Sequence, residues 1–324
     1  MHLRKAGVVL GLALAALAST FASAQEYPNR PLRIVVPWPP SGAVDILARP
    51  LSQRMSEVFA QPVVIDNRPG ANSIIGSAIV AKAPADGYTL LIDNVTGHAI
   101  NATLYKKLPF DSQTDFAPVG LLTSVTNLVV VNPSTPVKTI KDIIAAAKAA
   151  NGKLSYASFG TGGTAHLAGE LFKTAAGVDM VHVPYKGGAP ALADVMGGNV
   201  YMMFSTLPTA LQLVQAGRLK GIATTGAKRS PSTPDLPTMI ESGVPGFDVS
   251  TWYGALFPAK TPQATVTKMH QALSKIINSP EMRERLFVLG YEVNVSSPAE
   301  LARHLKEETV KWGKVVKLSG AQLD

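Results

Sequence analysis

The sequence predicts an α/β protein of two lobes, and three observations carry that prediction. Short apolar runs alternate with helix-period segments, the alternation comes as two series in tandem, and the chain crosses between them at NLVVVN (127–132) and returns at STWYGALF (250–257). Strands alternating with helices argue for βαβ units and a parallel sheet. Two crossing strands imply a hinge with a cleft between the lobes, where ligands of open α/β sheets collect at the carboxyl ends of strands.

In the first series LRIVVP (32–37), VVIDN (63–67) and TLLIDN (89–94) read as strands, with helices over about 44–59 and 74–83. Pro50 falls inside the first helical pattern; it has no amide hydrogen to donate, so a kink or a late start is expected. The second series runs NLVVVNPS (127–134), a helix over 140–150, SYASF (155–159), a helix over 164–176, MVHVPY (180–185), a helix near 189–196 and VYMMFS (200–205). Pro208 suits the first turn of another helix, and GIATT (221–225) follows as a strand. Residues 226–245, dense in Ser, Thr, Pro and Lys, read as loop. WYGALFPA (252–259) reads as a buried strand and 262–279 as a helix, while Leu301, Leu305, Trp312 and Val316 line one face of a final amphipathic helix. The division that follows is 25–128 plus 252–324 for lobe 1 and 129–251 for lobe 2.

The first residues point to export. His2, Arg4 and Lys5 precede an apolar stretch from Ala6 to Ala18, and Ala22-Ser23-Ala24 supplies a small-x-small cleavage site, so residues 1–24 read as a cleavable signal peptide. The apolar run of about 13 residues is short of the ~20 needed to span a bilayer, and the mature chain is expected to be soluble. There is no cysteine, which excludes disulfides, thiolate metal sites and a cysteine nucleophile. With 46% hydrophobic residues, the roughly 300 mature residues can build a core without them. The formal charge of +8 falls to +6 when Arg4 and Lys5 leave, and the remaining cations are scattered, so no nucleic-acid footprint is present.

Anion chemistry is concentrated in YASFGTGGTAHLAGELF (156–172), a strand, a glycine-rich turn and a helix start. Gly160, Gly162 and Ala165 match G-x-G-x-x-A of the dinucleotide fingerprint. The acid that should hold a ribose is misplaced, however: Asp179 precedes the next strand instead of ending it. Free amides at a helix N-terminus attract any anion, and glycines let a ligand approach the backbone; Thr161 and Thr164 add hydroxyls. A plain tight turn with a threonine cap is the alternative. A second loop of this kind, Trp38-Pro39-Pro40-Ser41-Gly42-Ala43, follows the first strand, and the two together could hold a carboxylate between them. G-x-S-x-G and H-E-x-x-H are absent, the histidines show no metal-ligand spacing, and no cofactor is implied. His166 reads as a capping or packing residue, and Asp45 as a partner of a helix dipole.

PWPPSGAVD (37–45), DNRPGA (66–71), ADGYTLL (85–91), the glycine-rich segment above, VPYKGGAPALADVMGG (183–198), AGRLKGIATTGAKRSP (216–231), DLPTMIESGVPGF (235–247) and WYGALFPAKTP (252–262) together resemble the Bug-type solute receptors of tripartite tricarboxylate transporters. The resemblance implies a two-lobe periplasmic binding protein of Venus-flytrap, type II-like architecture that closes on a small carboxylated solute and presents it to membrane permease subunits. It also implies that the ligand carboxylate is held by backbone amides of the loops 38–43 and 158–164, with Trp38, Ser41, Gly42, Ala43, Ser158, Thr161, Gly162, Gly163 and Thr164 as binding residues. Asn94, Tyr185, Ser205, Thr206, Trp252 and Tyr253 would line the rest. Two departures stand out. The family's P-x-x-P-G-G has Ser41 in place of its first glycine, and a strand that commonly ends in aspartate has Ser205 there, which disfavours an amino-acid ligand.

The expectation is therefore a monomeric periplasmic receptor for a mono- or dicarboxylate. Trp38, Trp252 and Tyr253 could stack on a planar ring, so an aromatic diacid such as terephthalate is included. An exported enzyme acting on a carboxylated substrate and a solute sensor serving a signalling partner are the alternatives.

Overall fold

The computed structural model describes residues 27–321, and the expected signal peptide lies outside the described residues. The first series runs β1 (Leu32–Val36), α1 (Ala43–Phe59), β2 (Val63–Asn67), α2 (Ile74–Ala81) and β3 (Thr89–Asn94), then a π-helical turn over Thr96–Ile100 into α3 (Asn101–Leu104). The long β4 (Phe116–Val131) leads to α4 (Ile140–Ala149), β5 (Ser155–Ser158), α5 (Thr164–Ala176), β6 (Val181–Pro184), α6 (Gly188–Met196), β7 (Met202–Thr206), α7 (Leu207–Gln215) and β8 (Lys220–Thr224). The chain returns through β9 (Ser250–Pro258) and finishes with α8 (Gln263–Ile277), α9 (Pro280–Val288), β10 (Glu292–Val293) and α10 (Pro298–Ser319).

Within each series the pairing is parallel: β1 lies between β2 and β3, and β5 between β6 and β7. The strands that join the series are antiparallel, so the sheet is mixed where a parallel one was expected. A strand arriving from the other lobe has no crossover helix to reverse it. β4 changes partners in mid-course: Phe116 to Thr126 pair with β9, and from Asn127 onward it pairs with β7 and β8. The change falls at the Thr126–Asn127 peptide.

β4 begins 11 residues before the expected run at Asn127. Pro118 and Gly120 are strand breakers in sequence, but the register with β9 slips there and again between Leu121 and Thr123. Such bulges absorb residues that cannot continue a regular ladder. α1 starts on time and is assigned unbroken through Pro50. Its apolar stripe, Val44, Leu47, Leu51 and Met55, is buried.

α10 opens with a capping box in which Ser297 and Glu300 satisfy each other's backbone amides. Its Leu301, Leu305, Trp312 and Val316 are all buried, in one apolar cluster with Val35 and Leu91 of the first series and Tyr156, Phe172 and Phe204 of the second. Burying each of these leucines stabilises the fold by roughly 1.5–3 kcal/mol.

Candidate functional site

Each lobe directs helix N-termini at the cleft. At α1, Gly42 is the cap residue and supplies no side chain to occupy the first-turn amides. Ser41 adopts φ 63°, a left-handed conformation that a glycine takes without strain. The Ser41 amide donates to Asp45 Oδ2 at 2.9 Å, away from the cleft. Burial works against the Asp45 charge, but donors from Arg49, the Ser41 amide and Asn67 hold its carboxyl below the usual range. Asp45 thereby fixes the loop's shape.

The glycine-rich loop before α5 is braced from behind by histidines. The Gly162 amide donates to His166 Nδ1 at 3.0 Å, and the His166 ring stacks on His182 with centroids 4.1 Å apart. His182 Nε2 lies 2.7 Å from Ser158 Oγ, which also accepts the Gly160 amide. Burial pushes His166 below its ordinary pKa and His182 down to about 4, so both imidazoles are neutral at pH 7 and His166 Nδ1 stays an acceptor.

Two further N-termini join these. Gly187, at φ 118°, precedes α6, and Thr206 precedes α7, whose first turn contains Pro208. The openings of all four helices line one cavity of about 590 Å³ including its mouth: Gly42, Ala43 and Val44 from α1, Thr164 from α5, Gly188 and Ala189 from α6, and Thr206 and Thr209 from α7. Trp38, Asn94, Phe159 and Tyr253 complete its wall, and no acidic side chain lines it among the described residues. Each helix N-terminus carries the equivalent of about half a positive charge, so the cavity is a site for an anion with an apolar body. Tyr253 is buried and its hydroxyl has no protein partner.

A second compartment lies beyond Trp38, Pro39, Phe159, Lys186 and Gly187, which border both. It is lined by Asn72, Tyr105, Thr161 and Tyr185. Ala71, Asn72 and Ser73 all take positive φ, and this tight turn sends Asn72 Nδ2 across the cleft to the Thr161 carbonyl at 2.5 Å. The Tyr185 hydroxyl is tied to Asp194.

Of the residues expected at the site, Trp38, Gly42, Ala43, Asn94, Thr164, Thr206 and Tyr253 line the first compartment, and Thr161 and Tyr185 the second. Ser41, Ser158, Gly162, Gly163, Ser205 and Trp252 line neither. Ser158 serves the histidines, Gly162 packs on Leu104, and the Ser205 hydroxyl bonds to the Thr206 carbonyl. Trp252 donates its indole N–H to Glu308, at 3.1 Å, and meets His304 in a T-shaped contact, on the side away from both compartments. Lys186 to Pro190, Thr209 and Asn72 carried no site expectation from the sequence, whereas Phe159 falls within the expected loop 158–164. The first group had a readable signal, since YKGGAP is a third strand-turn-helix junction with paired glycines and a first-turn proline.

Among the described residues no cluster of three or more His, Asp or Glu is placed to hold a metal, and no helix is long and apolar enough to cross a membrane. Fold and cleft define a two-lobe solute-binding protein. Residues 47–321 match the tripartite tricarboxylate transporter family receptor, and the chain belongs to that family. It is similar to Rpa4515 of R. palustris, solved with adipate, at 39% identity and TM-score 0.89, covering 92% of this chain and 100% of that one. It is similar to the periplasmic binding protein BugD, at 35% identity and TM-score 0.86 over 91% and 99% of the two chains. MatC (Rpa3494) of Rhodopseudomonas palustris, solved with malate, is 31% identical with TM-score 0.84, over 90% of this chain and 100% of that one.

Proposed function

We propose that the protein is a periplasmic receptor that captures a small carboxylate, a diacid in preference, and hands it to the membrane subunits of a tripartite tricarboxylate-type transporter. The observation that carries this reading is the convergence of four helix N-termini on a cavity without acidic side chains. A carboxylate placed there exchanges water for oriented amide donors. Two structural relatives were solved with the diacids adipate and malate.

Trp38, Phe159 and Tyr253 supply flat apolar walls suited to an alkyl chain or a ring. Adipate and terephthalate are accordingly the first ligands to test. The two lobes, expected from the sequence as 25–128 plus 252–324 and 129–251, move as units about the crossing strands β4 and β9, and a monomer suffices for binding. Micromolar affinity corresponds to roughly −8 kcal/mol.

The test is native mass spectrometry of the purified protein, followed by a melting-temperature screen of aliphatic and aromatic acids with product analysis. Saturable stabilisation by a carboxylate without turnover is expected. Conversion of any acid to product, or no stabilisation by any acid, overturns the reading.

A further inference from the structure

Lys186 is the one charged side chain that lines either compartment of the cleft among the described residues, and it borders both. It is exposed and pairs with no acidic group. Its neighbours do not share this freedom, since the Tyr185 hydroxyl is committed to Asp194 and the Asn72 amide to Thr161. We propose that Lys186 is the specificity-determining residue for the far end of the ligand: its ammonium pairs with a second carboxylate and makes the site select diacids over monoacids of equal length. This inference rests on the carboxylate-receptor reading above.

The argument is one of charge and place. A first carboxylate at the helix N-termini is met by backbone amides, which discriminate an anion from a neutral group but are blind to what lies beyond it. The path past Trp38, Pro39 and Phe159 is apolar, and a second carboxylate entering it without a counter-charge would lose hydration for nothing. Lys186 stands where that path opens into the second compartment. Its ammonium is a point charge on a flexible four-carbon stem, with none of the fixed fork of an arginine, so it can follow carboxylates set at different distances from the first.

Isothermal titration of the wild-type mature chain and of the Lys186→Gln and Lys186→Glu variants tests this, with adipate against hexanoate and terephthalate against benzoate as matched probes. The wild type is expected to bind one diacid about tenfold or more tighter than its matched monoacid. Lys186→Gln should bring that diacid down to the monoacid's affinity while leaving the monoacid within about twofold, and Lys186→Glu should weaken the diacid further. Because Lys186 is exposed, both variants should melt like the wild type. Unchanged diacid affinity in Lys186→Gln, or equal weakening of diacid and monoacid, overturns the role of Lys186 while leaving the receptor reading intact. A wild type that binds none of the four acids overturns both.

Discussion

Trp38 Nε1 donates a 2.7 Å hydrogen bond to Asp93 Oδ1, tying the loop before α1 to the end of β3 and fixing the indole that separates the two compartments. Asp93 is fully buried, and Ser77 Oγ also donates to it, at 3.1 Å. Asp93→Ala leaves the indole N–H unpaired and should cost about 1–3 kcal/mol of stability. Ligand affinity should fall about tenfold as the partition loosens. Asp93→Asn keeps an acceptor for Trp38 and should hold affinity within about twofold. Thermal melts and titration calorimetry on the pair of variants separate these effects.

Gly162 and Gly42 differ in what they tolerate. A Cβ on Gly162, which sits at φ 83°, would lie 2.0 Å from Leu104 Cδ2, whereas one on Gly42 meets only the Pro39 carbonyl, at 3.2 Å. Gly162→Ala combines left-handed strain of about 1–2 kcal/mol with a clash across the cleft. It should lower both the melting temperature and ligand affinity. Gly42→Ala should fold within about 1 kcal/mol of the wild type. Bulkier replacements at position 42 should abolish binding with the fold preserved. Equal behaviour of the two alanine variants would contradict this placement of the loops.

Trp252 gives the reverse test. Its indole and that of Trp312 both donate to Glu308 Oε2, at 3.1 and 2.9 Å, behind the cleft. Trp252→Phe removes one donor from a buried carboxylate, and a loss of about 1–3 kcal/mol is expected in chemical denaturation. Affinity for the ligand should stay unchanged, since the side chain lines neither compartment.

The same residue shows how far the sequence could be read. The succession of strands and helices within each series, most helix starts and the two glycine- and proline-marked loop segments follow from periodicity, glycines and prolines. What periodicity of motifs does not tell is which of two adjacent strand residues faces the ligand, because successive side chains point to opposite faces. Trp252 and Tyr253, Ser205 and Thr206, and Asp93 and Asn94 are such neighbours, and in each pair only the second lines the cavity. The register of β9 against β3 and β4, and of β7 against β4 and β5, decides this, and register depends on partners distant in sequence. The junction that holds Lys186 is legible as YKGGAP, but that no other charged side chain among the described residues lines the cleft is a property of the assembled fold.

The pH dependence of stability follows from buried histidines. Burial pushes His98 and His182 down to about 4 and lowers His166, from an ordinary 6.5. As pH falls through 6.5 the unfolded chain takes up these protons and the folded chain does not, so stability is lost between 6.5 and about 4. Asp93 has the opposite sign. Burial raises it to about 7, so its contribution, present below 3.8, is lost as pH rises through about 7. The two kinds of group pull in opposite directions between pH 5 and pH 7, so each is read from its own variant: relative to the wild type, His182→Gln should raise the urea midpoint at pH 5 against that at pH 7, and Asp93→Asn should lower it. A pH profile that neither variant changes would contradict this assignment.

The claim on which the account rests is that the helix N-termini of α1, α5, α6 and α7 form a site for carboxylate charge. Titration calorimetry of the wild-type protein with adipate and terephthalate, each beside its neutral diamide, tests it most directly. The account predicts saturable binding of at least one diacid and no detectable binding of the diamides, which match in shape but bring no charge to the amides. Equal binding of a diacid and its diamide, or binding of neither, would contradict it.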